Sequence, residues 1–227
     1  MKNLFVILTN NINSADIDSI MFSWLPMEYY LLLSETTIPE FNSLGVPCDN
    51  GVSHDVNHRL YYLFKYHKKL LEGYDWITFL DDSSYVFKKK LDIELSSRCG
   101  CTFPRIIGND ILTRSNHFNR NHYWGADVEG MVLNLKTGIS INKDFVNKTS
   151  IMFNEFKKNE HKEFLRETLL DEMFFHTLSS KLKARVTASV NRVYINTCND
   201  IESNIKDYSI LGGLNPLDKA IIMEKLQ

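Results

Sequence analysis

The chain has 227 residues, 44% of them hydrophobic and 24% charged, which is ordinary for a globular protein and enough for one sizeable core. A formal charge of −2 leaves no electrostatic footprint for nucleic acid, and no apolar run is long enough for a membrane-spanning helix. Cys48, Cys99, Cys101 and Cys198 lack the spacing of a disulfide framework, so they read as reduced thiols. Cys99-Gly100-Cys101 has no second pair at zinc-finger spacing and reads as a loop pair. The N-terminal LFVIL carries neither a basic region nor a cleavage site and does not read as a secretory leader. The expectation is a cytoplasmic protein, with peripheral membrane association as an alternative.

In chain order, Leu4–Thr9 reads as a short buried strand, a common opening of nucleotide-binding α/β domains. Asn10–Asn13 is a loop. Ser14 or Asp16 can cap a helix whose Ile17, Ile20, Met21 and Trp24 fall at i, i+3, i+4 and i+7, and Pro26 ends it. Tyr29–Leu33 reads as a second strand, and Pro39–Ser53, with Gly45, Pro47 and Asp49-Asn50-Gly51, as a loop. His54–Glu72 is the clearest helix. Val56, Leu60, Leu63, Phe64, His67, Leu70 and Leu71 share one face, Ser53 can cap the start and Gly73 can terminate it. His67 reads as a packed core histidine rather than a catalytic one.

Tyr74–Val86, YDWITFLDDSSYV, is the most informative stretch. Trp76–Leu80 reads as a strand covered on both faces, and it runs directly into Asp81 and Asp82. Two adjacent carboxylates there repel each other and lose solvation, which a cation or a cation-bearing ligand would relieve. Ligands of open α/β sheets bind outside the carboxyl ends of strands. The plain alternative is a turn, since Asp-Asp-Ser-Ser is ordinary turn chemistry.

This segment resembles the strand-to-acidic-motif stretch of the fringe-like and core-1-type β-1,3-glycosyltransferases: an aromatic, a hydrophobic strand, three acids, then a small residue, Tyr and Val. Here Asp75-Trp76, Ile77–Leu80 and Asp81-Asp82-Ser83-Ser84-Tyr85-Val86 take those places. Ser83 stands where the family carries its third acid, the usual direct metal ligand. Thr9 and Ser23-Trp24 resemble the family's strand-closing Thr and its Thr-Trp pair, without the arginine usually near that pair. The resemblance places Thr9 and Asn10 beside a nucleotide; a strand end and turn is the alternative.

Lys88-Lys89-Lys90 begins a polar approach to Leu91–Leu95 and reads as a solvated face, with phosphate binding as the alternative. Arg105–Gly108 reads as a short strand and Ile111–Tyr123 as a polar loop. Trp124–Leu135, WGADVEGMVLNL, closes in a strand, Met131–Leu135. Gly130-Met131-Val132-Leu133-Asn134 matches the end of the glycine-rich turn and strand that line the family's sugar site. Trp124, Gly125, Asp127 and Gly130 are therefore donor-site candidates, and a tight turn feeding a core strand is the alternative. Thr137–Lys158 reads as one helix. Thr168–Asp171 has capping-box spacing, and the helix after it carries Phe174, Leu178 and Leu182 on one face. Asp171-Glu172-Met173 resembles, with the acids reversed, the acid pair that supplies the family's catalytic base. Glu172 is the first candidate and Asp171, which can also simply cap, the second. Arg185–Val190 and Arg192–Asn196 read as strands, and Asn215-Pro216 starts an amphipathic helix with Leu217, Ile221, Ile222 and Leu226 apolar.

The resemblance runs from about Leu4 to Asn196. It implies an α/β fold of GT-A-like (Rossmann-like) type: a mixed, mostly parallel sheet flanked by helices over residues 1–196, followed by a C-terminal extension, 197–227, whose helix packs on the domain or a partner. It implies an inverting transferase that moves a sugar from a nucleotide sugar, a UDP-sugar first, to a carbohydrate or glycolipid hydroxyl. Asp82 and Asp81 would hold Mn²⁺ or Mg²⁺, and Glu172 or Asp171 would serve as base. Two rival expectations are a GT-A-fold protein without catalysis that binds glycan or a partner, and a sugar nucleotidyltransferase. The second usually needs a glycine-rich basic phosphate loop, which LTNNINSAD lacks.

Overall fold

A computed structural model describes residues 1–9, 15–25, 28–47, 56–100, 102–110, 131–157, 159–168, 171–195 and 207–226. Among these residues the central sheet has eight strands. A path of seven runs β3 (Ser43–Gly45), β2 (Tyr29–Ser34), β1 (Asn3–Leu8), β4 (Trp76–Asp81), β8 (Ile139–Asn142), β6 (Arg105–Asp110) and β7 (Met131–Val132), and β9 (Arg185–Ser189) also joins β6. β3, β2, β1 and β4 are mutually parallel, as are β6 and β9, whereas β8 is antiparallel to both its neighbours. This is the mixed, mostly parallel sheet anticipated.

Alternation along the two central strands explains the layering. Leu4, Val6 and Leu8 of β1 and Ile77 and Phe79 of β4 face one core layer, with Phe64 of α2 (Val56–Tyr66), Phe153 of α4 (Lys143–Glu155) and Phe174 and Phe175 of α6 (Asp171–Lys181). Phe5, Ile7, Trp76 and Leu80 face the other layer, with α1 (Ala15–Met21) and α3 (Lys88–Ser96). Because both faces are covered, Leu4–Leu8 and Trp76–Leu80 are apolar apart from Thr78, as buried strands of a parallel sheet are.

A second, three-stranded sheet is formed by β10 (Arg192–Tyr194), β11 (Ile210–Gly212) and β5 (Tyr85–Val86). β11 pairs parallel to β10 and antiparallel to β5, so the C-terminal segment is bound directly behind the Asp81–Ser84 turn. Arg192 ties this sheet to the rest. Fully buried, it donates from Nε to Glu94 Oε1 at 3.2 Å, from Nη1 to the carbonyls of Ile107 (3.2 Å) and Gly138 (3.0 Å), and from Nη2 to Ser140 Oγ at 2.9 Å.

Several elements differ from the sequence reading. Residues 137–158 are not one helix. A one-turn 3-10 helix, Leu135–Thr137, is followed by Gly138, then β8, then α4. Gly138 has φ +78°, and a Cβ there would lie 2.5 Å from Ile210 Cδ1, so the chain turns in a conformation that favours glycine. Asn142 ends β8 and caps α4, its Oδ1 accepting from Phe145 N and Arg105 N, both at 3.0 Å. The strand expected over Met131–Leu135 stops at Val132, because Asn134 Oδ1 accepts from Lys136 N and opens the 3-10 turn. The helix expected over 54–72 ends at Tyr66, and Lys68–Leu71 continues as a 3-10 turn. Within the expected loop 39–53, Ser43–Gly45 forms the edge strand β3. The polar approach beginning at Lys88 is the first turn of α3.

Of the capping box expected at Thr168, the Asp171 side chain lies outside the described residues. Thr168 terminates α5 (Glu160–Glu167), an element the sequence reading lacked, and its hydroxyl donates to the Phe164 carbonyl at 2.9 Å. At α7 (Pro216–Leu226) the cap is real: Asn215 Oδ1 accepts from Asp218 N at 2.9 Å, and Asp218 Oδ2 accepts from Asn215 N at 3.2 Å. Of the apolar stripe expected on α7, Ile221, Ile222 and Leu226 pack against the core, but Leu217 does not, and two charged residues join the buried face. Leu217 is 69% exposed, while Asp218, Lys219 and Ile222 are buried.

Candidate functional site

β1 and β4 lie side by side and parallel, with Leu8 opposite Asp81. Their carboxyl ends therefore bring Thr9, Asp81 and Asp82 together at one edge of the sheet. Thr9 is buried. Its hydroxyl donates to Asp82 Oδ2 at 2.7 Å, and its carbonyl accepts from Arg59 Nη1, on α2, at 3.0 Å.

Asp81 Oδ1 accepts from Ser83 N (3.0 Å), Ser83 Oγ (2.6 Å) and Ser84 Oγ (3.3 Å). This is side-chain-to-backbone turn chemistry. The turn reading and the ligand reading thus divide between the two acids: Asp81 locks the turn with one oxygen, and Asp82 points back to Thr9. The C-terminal segment holds the same turn from behind. Gly213 N donates to Ser83 Oγ at 3.2 Å and Leu214 N to the Ser83 carbonyl at 2.9 Å. Gly213 has φ +82°, and a Cβ there would lie 2.5 Å from the Ile195 carbonyl. Trp24, packed edge-on against Phe5, donates from Nε1 to the Ser84 carbonyl at 3.3 Å.

Lys219 was missed in the sequence. Buried on α7, it donates from Nζ to the Asp82 carbonyl and, at 3.1 Å, to Ser19 Oγ, and it stands 3.6 Å from Asp16 Oδ1. The available signal was a lysine three residues before Ile222 on a helix that had to bury one face.

Electrostatics follow from this geometry. Burial pushes the Asp81 carboxyl above its usual range against the hydrogen bonds of Ser83 and the charge of Lys136. Burial likewise raises Asp82, opposed by the Thr9 hydrogen bond and Lys219 and reinforced by Asp81 and Asp16. Burial lowers Lys219, and Asp16, Asp82 and Asp81 oppose that. Three carboxylates thus crowd one buried ammonium, and negative charge is in excess where solvation is poor.

A divalent cation fits this arrangement. Among the described residues, Asp81 Oδ2 and Asp82 Oδ1 lie outside the hydrogen bonds above, and added positive charge would relieve both acids. Mg²⁺ in particular is commonly held by one or two carboxylates and completed by water and phosphate oxygens. The described residues add no third acid, histidine or cysteine to form a metal cluster. Ser83 is engaged with Asp81 and Gly213.

Of the remaining candidates, Asp171 and Glu172 open α6. Phe175, one turn later, packs 4.9 Å from Phe79, which ties that helix to the strand ending in Asp81. Asn10, Trp124, Gly125, Asp127 and Gly130 lie outside the described residues. Lys88 pairs with Asp92 at 2.6 Å and Glu28 at 3.5 Å, and Lys90 with Asp207 at 3.9 Å, as a solvated face does. His67 packs its ring 5.3 Å from Tyr62.

No protein-family profile matches the chain, and no curated protein sequence matches it. Among solved structures, a glycosyltransferase involved in glycosylation of the major capsid of PBCV-1 superposes with a TM-score of 0.51 at 9% identity, covering 99% of this chain and 100% of that one. Mouse xyloside xylosyltransferase 1 in its apo form gives 0.47 at 10% identity, covering 93% and 97%. The chain shares the fold of the viral glycosyltransferase.

Proposed function

We propose that this protein is an inverting glycosyltransferase that moves a sugar from a nucleotide sugar, a UDP-sugar first, to a carbohydrate or glycolipid hydroxyl, as in surface polysaccharide or glycan synthesis. The observation that carries the reading is the pair Asp81 and Asp82 at the carboxyl edge of two central parallel strands, with Thr9 bound to Asp82 at 2.7 Å. Ligands of α/β sheets bind at that edge. The viral enzyme's fold, matched end to end, supports it.

In this reading the donor's diphosphate lies over the acids. Asp82 and Asp81 would hold Mn²⁺ or Mg²⁺, which would supply positive charge to the leaving group. Thr9 orients Asp82, and the turn bonds of Ser83 and Ser84 hold Asp81. Thr9, Asn10, Trp124, Gly125, Asp127 and Gly130 surround the donor. Glu172, with Asp171 as the alternative, takes the proton of the acceptor hydroxyl, help worth about 10²–10⁴-fold. Direct displacement by that hydroxyl inverts the anomeric centre. No described helix is long and apolar enough to cross a membrane, and the cytoplasm, with a peripheral membrane contact as the alternative, remains the proposed location.

Ser83 in place of an acid favours one rival, a protein of this fold that binds glycan or a partner without transfer. A thermal-shift panel of nucleotides and nucleotide sugars, with and without Mn²⁺, tests both. A ligand at 100 times its Kd stabilises by about 2.7 kcal/mol, about 5–11 °C for a chain of this size. Donor-sugar hydrolysis or transfer by the same samples separates the enzyme from the binder. A panel with no shift and no turnover refutes the transferase.

A further inference from the structure

We propose that Lys219 is a diphosphate-binding residue whose ammonium exchanges Asp16 for a phosphate oxygen of the nucleotide donor, and that Asp16 is the internal anion holding this position in the free protein. The inference rests on the transferase reading and adds to it a residue and a competitor within the chain.

Three features of the lysine lead there. The first is its position. Lys219 comes from α7, 137 residues along the chain from Asp82, yet its Nζ donates to the Asp82 carbonyl. That places the ammonium at the carboxyl edge of β4, one peptide from the acid pair. The second is its partners. An ammonium has three donors and no acceptor. Among the described residues, two of its neighbours are neutral oxygens, the Asp82 carbonyl and Ser19 Oγ, and the carboxylate within ion-pair distance is Asp16 at 3.6 Å, with the charges of Asp82 and Asp81 farther away. The Asp16 side chain is 36% exposed while that of Lys219 is 1% exposed, so the paired carboxylate reaches solvent and the ammonium does not. The third is the chemistry of burial. A methionine could fill the same space beside Ile222, and taking an ammonium out of water is costly unless it is well paired. A long contact to a part-exposed carboxylate compensates weakly.

Exchange of Asp16 for phosphate avoids that cost, because Lys219 gives up one anion as it gains another and is never left unpaired. The bonds to Asp82 and Ser19 stay in place and keep the ammonium aimed. No covalent bond is made or broken. Asp16 swings to solvent, and a phosphate oxygen takes its place beside the cation on Asp81 and Asp82. Both ends of the exchange are set by packing, since α1, which carries Asp16 and Ser19, contacts α7 directly.

The test compares UDP with uridine, which lacks the diphosphate, by titration in the presence of Mn²⁺ and again in EDTA, for the wild type, Lys219→Met and Asp16→Asn. Lys219→Met is expected to weaken UDP at least tenfold in both conditions and to leave uridine within twofold. Asp16→Asn removes the competitor and keeps the lysine; it is expected to tighten UDP severalfold and leave uridine unchanged. Opposite signs for the two variants are what an ion pair serving stability alone does not produce. Equal losses of UDP and uridine, or an Asp16→Asn variant that weakens UDP, overturn the exchange while the transferase reading stands. A wild type that binds neither UDP nor uridine overturns both. If Lys219→Met does not fold, Asp16→Asn decides alone, tightening supporting the exchange and weakening refuting it.

Discussion

Glu94→Gln tests how the second sheet is held against the first. The variant keeps the shape of the side chain but removes the charge facing Arg192, which is fully buried, and replaces one accepting oxygen with an NH2 that can only donate. Removing one partner of a buried ion pair typically costs about 3–5 kcal/mol. Here Arg192 still has the carbonyls of Ile107 and Gly138 and the hydroxyl of Ser140, so the low end, about 3 kcal/mol, is expected. At about 2–4 °C per kcal/mol, this lowers the melting temperature by about 6–12 °C. Arg192→Met should be worse, because it strips those acceptors of their donor and leaves Glu94 buried and charged. Thermal melts by circular dichroism at pH 7 measure both. The pH dependence is also specified. Burial alone would raise the Glu94 carboxyl, but Arg192, with Ser189 and Ser209, outweighs it and holds the group below its ordinary 4.5. A carboxyl lowered on folding contributes stability above its unfolded value and loses it as pH falls through the folded value. The gap between wild type and Glu94→Gln should therefore narrow on acidification below pH 4.5. A Glu94→Gln melt within 2 °C of wild type at pH 7, or an Arg192→Met variant milder than Glu94→Gln, would refute the account.

Asp82 carries the opposite sign. Its folded value is raised above 3.8, so its ionised form opposes folding, and stability is lost as pH rises through the folded value. Asp82→Asn should melt higher than wild type at pH 7 while losing Mn²⁺-dependent UDP binding; a lower melt with binding retained would show a structural acid. Glu172→Gln should lose about 10²–10⁴-fold in transfer with UDP binding unchanged, and full transfer by both Glu172→Gln and Asp171→Asn would place the base elsewhere. Gly213→Ala puts a side chain at φ +82°, where the backbone conformation alone costs about 1–2 kcal/mol; chemical denaturation should show at least that loss, and an unchanged midpoint would contradict the close approach to Ile195.

Sequence alone was sufficient where the determining physics is local. β1, β2 and β4 are apolar runs bounded by turn residues, and a strand covered on both faces has to look that way. The α2 face repeats at helical spacing, and Asn215-Pro216 marks the start of α7 by chemistry confined to four residues. The acid pair was legible for the same reason, as charge at the end of a buried strand. β8 and β11 were not legible. Each is three or four residues long, too short for a period, and each is a strand only because distant partners exist: Ile139–Asn142 opposite Trp76–Phe79, and Ile210–Gly212 between β10 and β5. Thr168 has capping-box spacing toward the next helix, and it also closes α5 with its hydroxyl on the Phe164 carbonyl, a role that only the preceding helix reveals. Lys219 was read past because a charged residue on an amphipathic helix belongs on the solvent side. Tertiary structure reversed this: α7 packs against α1 beside the end of β4, where the Asp82 carbonyl, Ser19 and Asp16 solvate an ammonium that no local pattern could have placed indoors.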